Sequence, residues 1–150
     1  MSGLRVKKPA DGHIVVTPQS AGWTYVGFEV GRMVPGDAIE EYTGDREVCL
    51  VFLSGKGRVI AGGKDFGELG GRTSPFDGPP VAVYIPAHTS WVVSATTPLE
   101  LAGCSAPGGG DYKAHVIDIP PQITRGTGSN TRYVTNILPE DAPAHSLLVV

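Results

Sequence analysis

Short apolar stretches, each closed off by glycine or proline, follow one another from His13 to Leu138 and leave this chain little to build with except β-strands. With 21 glycines and 13 prolines in 150 residues, no stretch runs long enough for a helix of several turns. Such a density of breakers also suits a disordered chain, but the Val, Ile and Leu runs between them argue for a packed core. The expected strands are His13–Thr17, Tyr25–Val34, Asp37–Tyr42, Glu47–Leu53, Arg58–Ala61, Val81–Ile85, Trp91–Ala95, Leu99–Ser105, Ala114–Ile119 and Arg132–Leu138. Pro35-Gly36 and Asp77-Gly78 are turns, because proline presets φ and glycine supplies the positive φ that other residues resist. Ser54–Gly57, between two apolar runs, is expected to be a hairpin, and Pro139–Ala144 alone suggests a helical turn. The expected fold class is all-β, a single sandwich or barrel. Glu47–Leu53 is apolar at nearly every position after its first residue, as in a strand covered on both faces.

Charge excludes some function classes. A net charge of −3 and the lack of a basic stripe give no electrostatic reason to bind nucleic acid or an anionic membrane. Met1–Asp11 lacks the apolar core of a signal peptide, and no run approaches the roughly 18 apolar residues of a membrane span. The expected location is therefore cytoplasmic, where Cys49 and Cys104, each within an apolar run, are expected to be free thiols rather than a disulfide.

One spacing stands out. Gly36 is followed after five residues by Tyr42, then by Gly44, Val48 and Gly55. This resembles the first cupin motif, in which the corresponding positions hold His-x-His, Glu and Gly. The second motif, Pro-x-Gly-x-x-His, corresponds to Pro86-Ala87-His88-Thr89-Ser90-Trp91. The four ligand positions thus hold Tyr42, Gly44, Val48 and Trp91, none of which suits a cupin metal. Glu47 lies one residue from the ligand position and, by strand alternation, points away from wherever Val48 points. The resemblance implies a cupin-like barrel without bound metal, its lumen filled by Tyr42, Val48 and Trp91.

Other catalytic patterns are missing. No G-x-x-x-x-G-K-[ST], G-x-S-x-G or C-x-x-C occurs, and Gly62-Gly63 and Gly70-Gly71 are expected to be loop glycines. His13, His88, His115 and His145 are too scattered for a strand-borne pair of ligands. The polar cluster Asp45-Arg46-Glu47 offers substrate-binding candidates: Arg46 to clamp a carboxylate, Glu47 to accept sugar hydroxyls. The same residues also suit a solvated charged turn before a buried strand. Arg72 is a third candidate for an anionic group, and the reading that it ties down the long loop around Pro75-Phe76-Asp77-Gly78 is favoured.

Longer runs carry a closer resemblance. Gly22–Val30, Thr43–Val51, Val83–Ala87, Cys104–Pro107 and Asn130–Pro139 resemble, in order, the N-terminal half of 5-deoxyglucuronate isomerases. Those enzymes form the inositol-catabolism branch related to 4-deoxy-L-threo-5-hexosulose-uronate ketol-isomerases, with two cupin barrels in one chain. The resemblance implies aldose–ketose isomerisation of 5-deoxyglucuronate, a small sugar acid as ligand, and a homo-oligomer. It also implies that the divalent metal belongs to the second barrel, so no cofactor and no catalytic residue is expected within this chain, and the chain alone is expected to be inactive. The division expected is a degenerate N-terminal barrel over 1–138, with 139–150 a connector and first strand of a second barrel cut short. Ser146–Val150 would then be an unpaired apolar strand that drives self-association. The alternative is a standalone non-catalytic cupin that binds a sugar acid or pairs with another subunit.

Overall fold

The computed structural model describes residues 6–150, so the first five positions of the N-terminal stretch weighed above lie outside the described residues. The fold is all-β. Its strands are β1 (Ile14–Val16), β2 (Gly27–Met33), β3 (Ala38–Tyr42), β4 (Arg46–Ser54), β5 (Lys56–Ala61), β6 (Lys64–Gly70), β7 (Val81–Ile85), β8 (Ser90–Ala95), β9 (Leu99–Pro107), β10 (His115–Val116), β11 (Ile123–Arg125) and β12 (Arg132–Val134). Antiparallel pairing builds a six-stranded sheet in the order β1-β2-β9-β4-β7-β10 and a four-stranded sheet in the order β3-β8-β5-β6, with β11 and β12 as a separate ribbon.

Two apolar layers hold these sheets. The inner layer, including Leu50, Phe52, Val59, Trp91, Val93 and Leu101, fills the space between the sheets. The outer layer, including Cys49, Val51, Tyr84 and Ala102, lies on the other face of the larger sheet, beneath Ile137, Leu138, Leu147 and Val149. β4 therefore alternates between two buried faces, which accounts for its nearly unbroken apolar sequence. Cys49 and Cys104 face each other across β4 and β9 as free thiols. Burial pushes the Cys49 thiol pKa far up, with Cys104 adding to the shift, so it stays protonated and inert.

Two local expectations need correction. Ser54–Gly57 is not a hairpin, since β4 pairs with β7 and β9 whereas β5 pairs with β6 and β8. The chain changes sheets there, so close to a neighbouring turn that a Cβ on Gly55 would sit 1.9 Å from the Pro98 carbonyl oxygen. The true hairpin joins β5 to β6 through Gly62-Gly63, both at positive φ. Pro139–Ala144 forms one hydrogen-bonded turn, from Ala142 N–H to the Pro139 carbonyl, and no helix. The one α-helix among the described residues is a single turn, α1 (Pro18–Ala21), fixed by a reciprocal cap between Thr17 and Ser20.

The largest correction concerns Ser146–Val150. This segment is not left unpaired: Leu138 and Val149 exchange backbone hydrogen bonds of 3.0 and 3.2 Å. Leu147 and Val149 point into the outer layer while Leu148 and Val150 face solvent.

Candidate functional site

Residues of β2, β3, β4, β8 and β9 that face the inner layer leave a cup at one end of the barrel, with a volume of about 310 Å³. Its walls include Glu29 from β2, Glu41 and Tyr42 from β3, Arg46 and Val48 from β4, and Trp91 from β8. A smaller chamber of about 130 Å³, reaching His13, Ile39 and Leu101, shares Glu29, Glu41, Trp91 and Gly103 with it. The filled lumen expected from the sequence is therefore corrected. Val48 and Trp91 do form walls, but Tyr42 is 61% exposed and fills nothing. An open cup with two carboxylates on its walls remains.

Glu29 and Glu41 both project from strand positions that face this cup, and neither makes a hydrogen bond among the described residues. The Glu29 side chain lies over Gly103, its register partner on β9, where an added Cβ would sit 3.0 Å from Oε1. Burial, then the charge of Glu41, push the Glu29 carboxyl above the ordinary carboxylate range, and His13 pulls it partly back. Trp91 is 2% exposed, and its Nε1–H finds no acceptor among the described residues.

The three residues singled out for substrate binding part company. Arg46 reaches the cup, but its Nη2 donates to the Tyr25 carbonyl at 2.6 Å and the Ser105 carbonyl at 3.0 Å, and its Nε to Ser105 Oγ at 3.2 Å. It holds the start of β2 against β9. Arg72 lies elsewhere, donating to the carbonyls of Phe52, Leu53, Pro75 and Gly78, so it does tie down its loop. Glu47 is fully buried on the opposite face of β4 from the cup. Its Oε2 accepts from Tyr84 Oη at 2.6 Å and His145 N–H at 2.9 Å. Its Oε1 accepts from the N–H groups of Ser146 at 2.6 Å and Leu147 at 2.5 Å. Burial alone works to raise the Glu47 pKa, but these four hydrogen bonds together outweigh it and hold the carboxylate below its ordinary value. Glu47 is a clasp for the C-terminal segment, neither a sugar ligand nor part of a solvated turn. Its signal in the sequence was its place in β4, on the same face as Cys49 and Val51.

The positions corresponding to metal ligands do not fit a divalent ion. Tyr42 stands at the rim, Gly44 lies in a turn at positive φ, and Val48 and Trp91 present apolar surface. Among the described residues no three of His, Cys, Asp and Glu gather as a metal-binding group. Likewise, no helix among them is long and apolar enough to cross a membrane.

Comparison with known proteins places this geometry. The model of the KduI/IolB family matches residues 4–150. The chain is 45% identical over 146 residues to the 5-deoxy-glucuronate isomerase of Geobacillus thermodenitrificans, covering 93% of this chain and 53% of that protein. It is 33% identical over 139 residues to the Bacillus subtilis protein of the same name, covering 90% and 51%. An IolB-like crystal structure from Salmonella typhimurium superposes with a TM-score of 0.80 at 43% identity, covering 84% of this chain and 49% of that one. A cupin protein from Bacteroides fragilis, at 16% identity and a TM-score of 0.53, covers 74% of this chain and 88% of its own, and shares the fold alone. The chain spans about half the length of the curated relatives it matches.

Proposed function

This chain belongs to the KduI/IolB family, and from that we propose that it acts as the N-terminal barrel of a 5-deoxyglucuronate isomerase. The observation that carries the reading is the 45% identity, sustained over 93% of this chain, to a protein of that name. The reaction is an aldose–ketose isomerisation, which moves a proton between C1 and C2 and needs a base and a group that polarises the carbonyl. Nothing at Tyr42, Gly44, Val48 or Trp91 supplies either, so in this reading those positions take no part in the chemistry and the barrel contributes scaffold and contact surface. Inositol breakdown is the metabolic setting that the reading implies, and the cytoplasm its location.

A segment exchange tests this. The matching N-terminal stretch of the Geobacillus thermodenitrificans protein is replaced by this chain, and conversion of 5-deoxyglucuronate is followed by NMR. The expected result is turnover by the hybrid and none above background by this chain alone. A folded but inactive hybrid would count against the isomerase reading and favour the standalone binding module.

A further inference from the structure

Among the described residues Phe76 is the most exposed large apolar side chain, at 98%, yet its loop is tightly held. The Arg72 guanidinium donates to the Pro75 and Gly78 carbonyls on either side of the ring and, at the base of the loop, to those of Phe52 and Leu53. Asp77 accepts from the Thr73 N–H and hydroxyl. The Ser74 hydroxyl accepts from Phe76 N–H, and its carbonyl from Asp77 N–H. Exposed Pro75 and Pro79 stiffen the backbone around the ring. A single exposed apolar side chain is ordinary. A backbone fixed on both sides of one, by hydrogen bonds that do nothing to cover it, makes a preorganised anchor, because its ordering is complete before a partner arrives.

The same chain carries a receptor for such an anchor. A groove of about 730 Å³ runs between the start of β2, the end of β9 and the C-terminal segment. Its apolar lining is open to solvent at Tyr25, Val26, Phe28, Leu148 and Val150. Phe76 does not reach it within one copy. Pro107, on the wall of the groove, pairs with Arg46 at the start of β4, whereas Arg72 ties the Phe76 loop to Phe52 and Leu53 near the end of that strand. From Arg46 to Phe52 the strand runs roughly 20 Å. We infer that Phe76 is a docking anchor that inserts into this groove on a second copy of the chain. Ring and groove are different surfaces, so the contact is heterologous: a copy that has given its ring to one neighbour still offers its groove to another. One aromatic side chain buries about 150–250 Å², well below the roughly 800 Å² per partner of a stable dimer. The contact is therefore weak, with a Kd of about 0.1–1 mM, and the chain is monomeric when dilute. The inference rests on surfaces remote from the cup and is independent of the isomerase reading.

Sedimentation velocity on the intact chain, from about 10 µM to about 1 mM, is expected to show monomer giving way to larger species. Phe76→Ser and Leu148→Glu both alter solvent-facing side chains, so each should keep the wild-type Tm. Each alone should remain monomeric at about 1 mM. Mixed one to one, they should form a dimer and nothing larger, because one intact ring then meets one intact groove. In the intact chain, alkylation of Cys104, which lines the groove, should slow over the same range of concentration. The proposal is overturned by an intact chain that stays monomeric at about 1 mM, or by a folded Phe76→Ser variant that associates as wild type does. A mixture of the two variants that stays monomeric overturns it as well, as does a Cys104 rate indifferent to concentration.

Discussion

Glu47 and Val48 are neighbours in sequence and occupy different environments. Val48 looks into the cup, whereas the Glu47 carboxylate is spent on three backbone N–H groups and the Tyr84 hydroxyl. Glu47→Ala leaves those donors without an acceptor, each worth about 1–3 kcal/mol when buried, and water recovers only part of that. The expected loss is about 3–5 kcal/mol, measured from urea midpoints, and an unchanged midpoint would show the clasp to be ornamental. Its pH dependence has a definite sign. The folded pKa lies below the unfolded one, so the contribution is full above about pH 4.3, the ordinary glutamate value, and is lost as pH falls through the folded pKa. The stability gap between wild type and Glu47→Gln should therefore be constant near neutrality and shrink in acid. Trp91→Ala removes a large wall of the inner layer and should cost about 3–5 kcal/mol. A Trp91→Ala midpoint matching wild type would place that ring outside the core. The displacement of Glu47 from the ligand position was legible in the motif spacing. Its partners were not, because 98 to 100 residues separate it from His145, Ser146 and Leu147.

Among the elements, β7 matches the expected Val81–Ile85 run residue for residue, because its apolar sequence is bounded by Pro79-Pro80 and Pro86. β6 was missed: Lys64–Gly70 mixes charge and glycine and is half-exposed at a sheet edge, where no apolar pattern is needed. The supposed hairpin at Ser54–Gly57 shows the limit of local turn chemistry, which marks a change of direction without saying which sheet receives the next strand. The C-terminal segment is the third case. Its alternation of buried Leu147 and Val149 with exposed Leu148 and Val150 is the strand pattern the sequence suggests, but the face it covers belongs to this barrel. Deleting Ser146–Val150 should therefore uncover the outer layer and promote association, the reverse of what an unpaired strand would do. Cys104, which lines the groove beside this segment, should become markedly more reactive towards a thiol-alkylating reagent. A deletion variant that stays monomeric in light scattering, with the alkylation rate of wild type, would show the segment to be detached in solution.

At the scale of the molecule, long-range pairing dominates. β2 finds β9 with Gly27 opposite Ser105 and Met33 opposite Leu99, and β4 finds the same strand from its other side. A topology of this kind folds on the order of milliseconds to seconds, because loop closure precedes the contacts that compensate it. The clasp joins residues 100 positions apart and covers an already formed sheet, so it should close late. Glu47→Ala is thus expected to accelerate unfolding far more than it slows refolding in stopped-flow measurements. An effect concentrated on the refolding arm would place the clasp in the folding nucleus. Vectorial synthesis gives the clasp an earlier duty. At ordinary elongation rates Leu147 leaves the ribosome roughly 5–20 s after Glu47. In the later part of that interval, once β9 has also emerged, the outer face, with Cys49, Val51 and Ala102, stands uncovered, and Glu47 is a bare negative charge set among them. A charge in that position is a gatekeeper against adhesion between nascent chains. The same carboxylate that keeps strangers off the unfinished sheet then becomes the anchor of the segment that covers it.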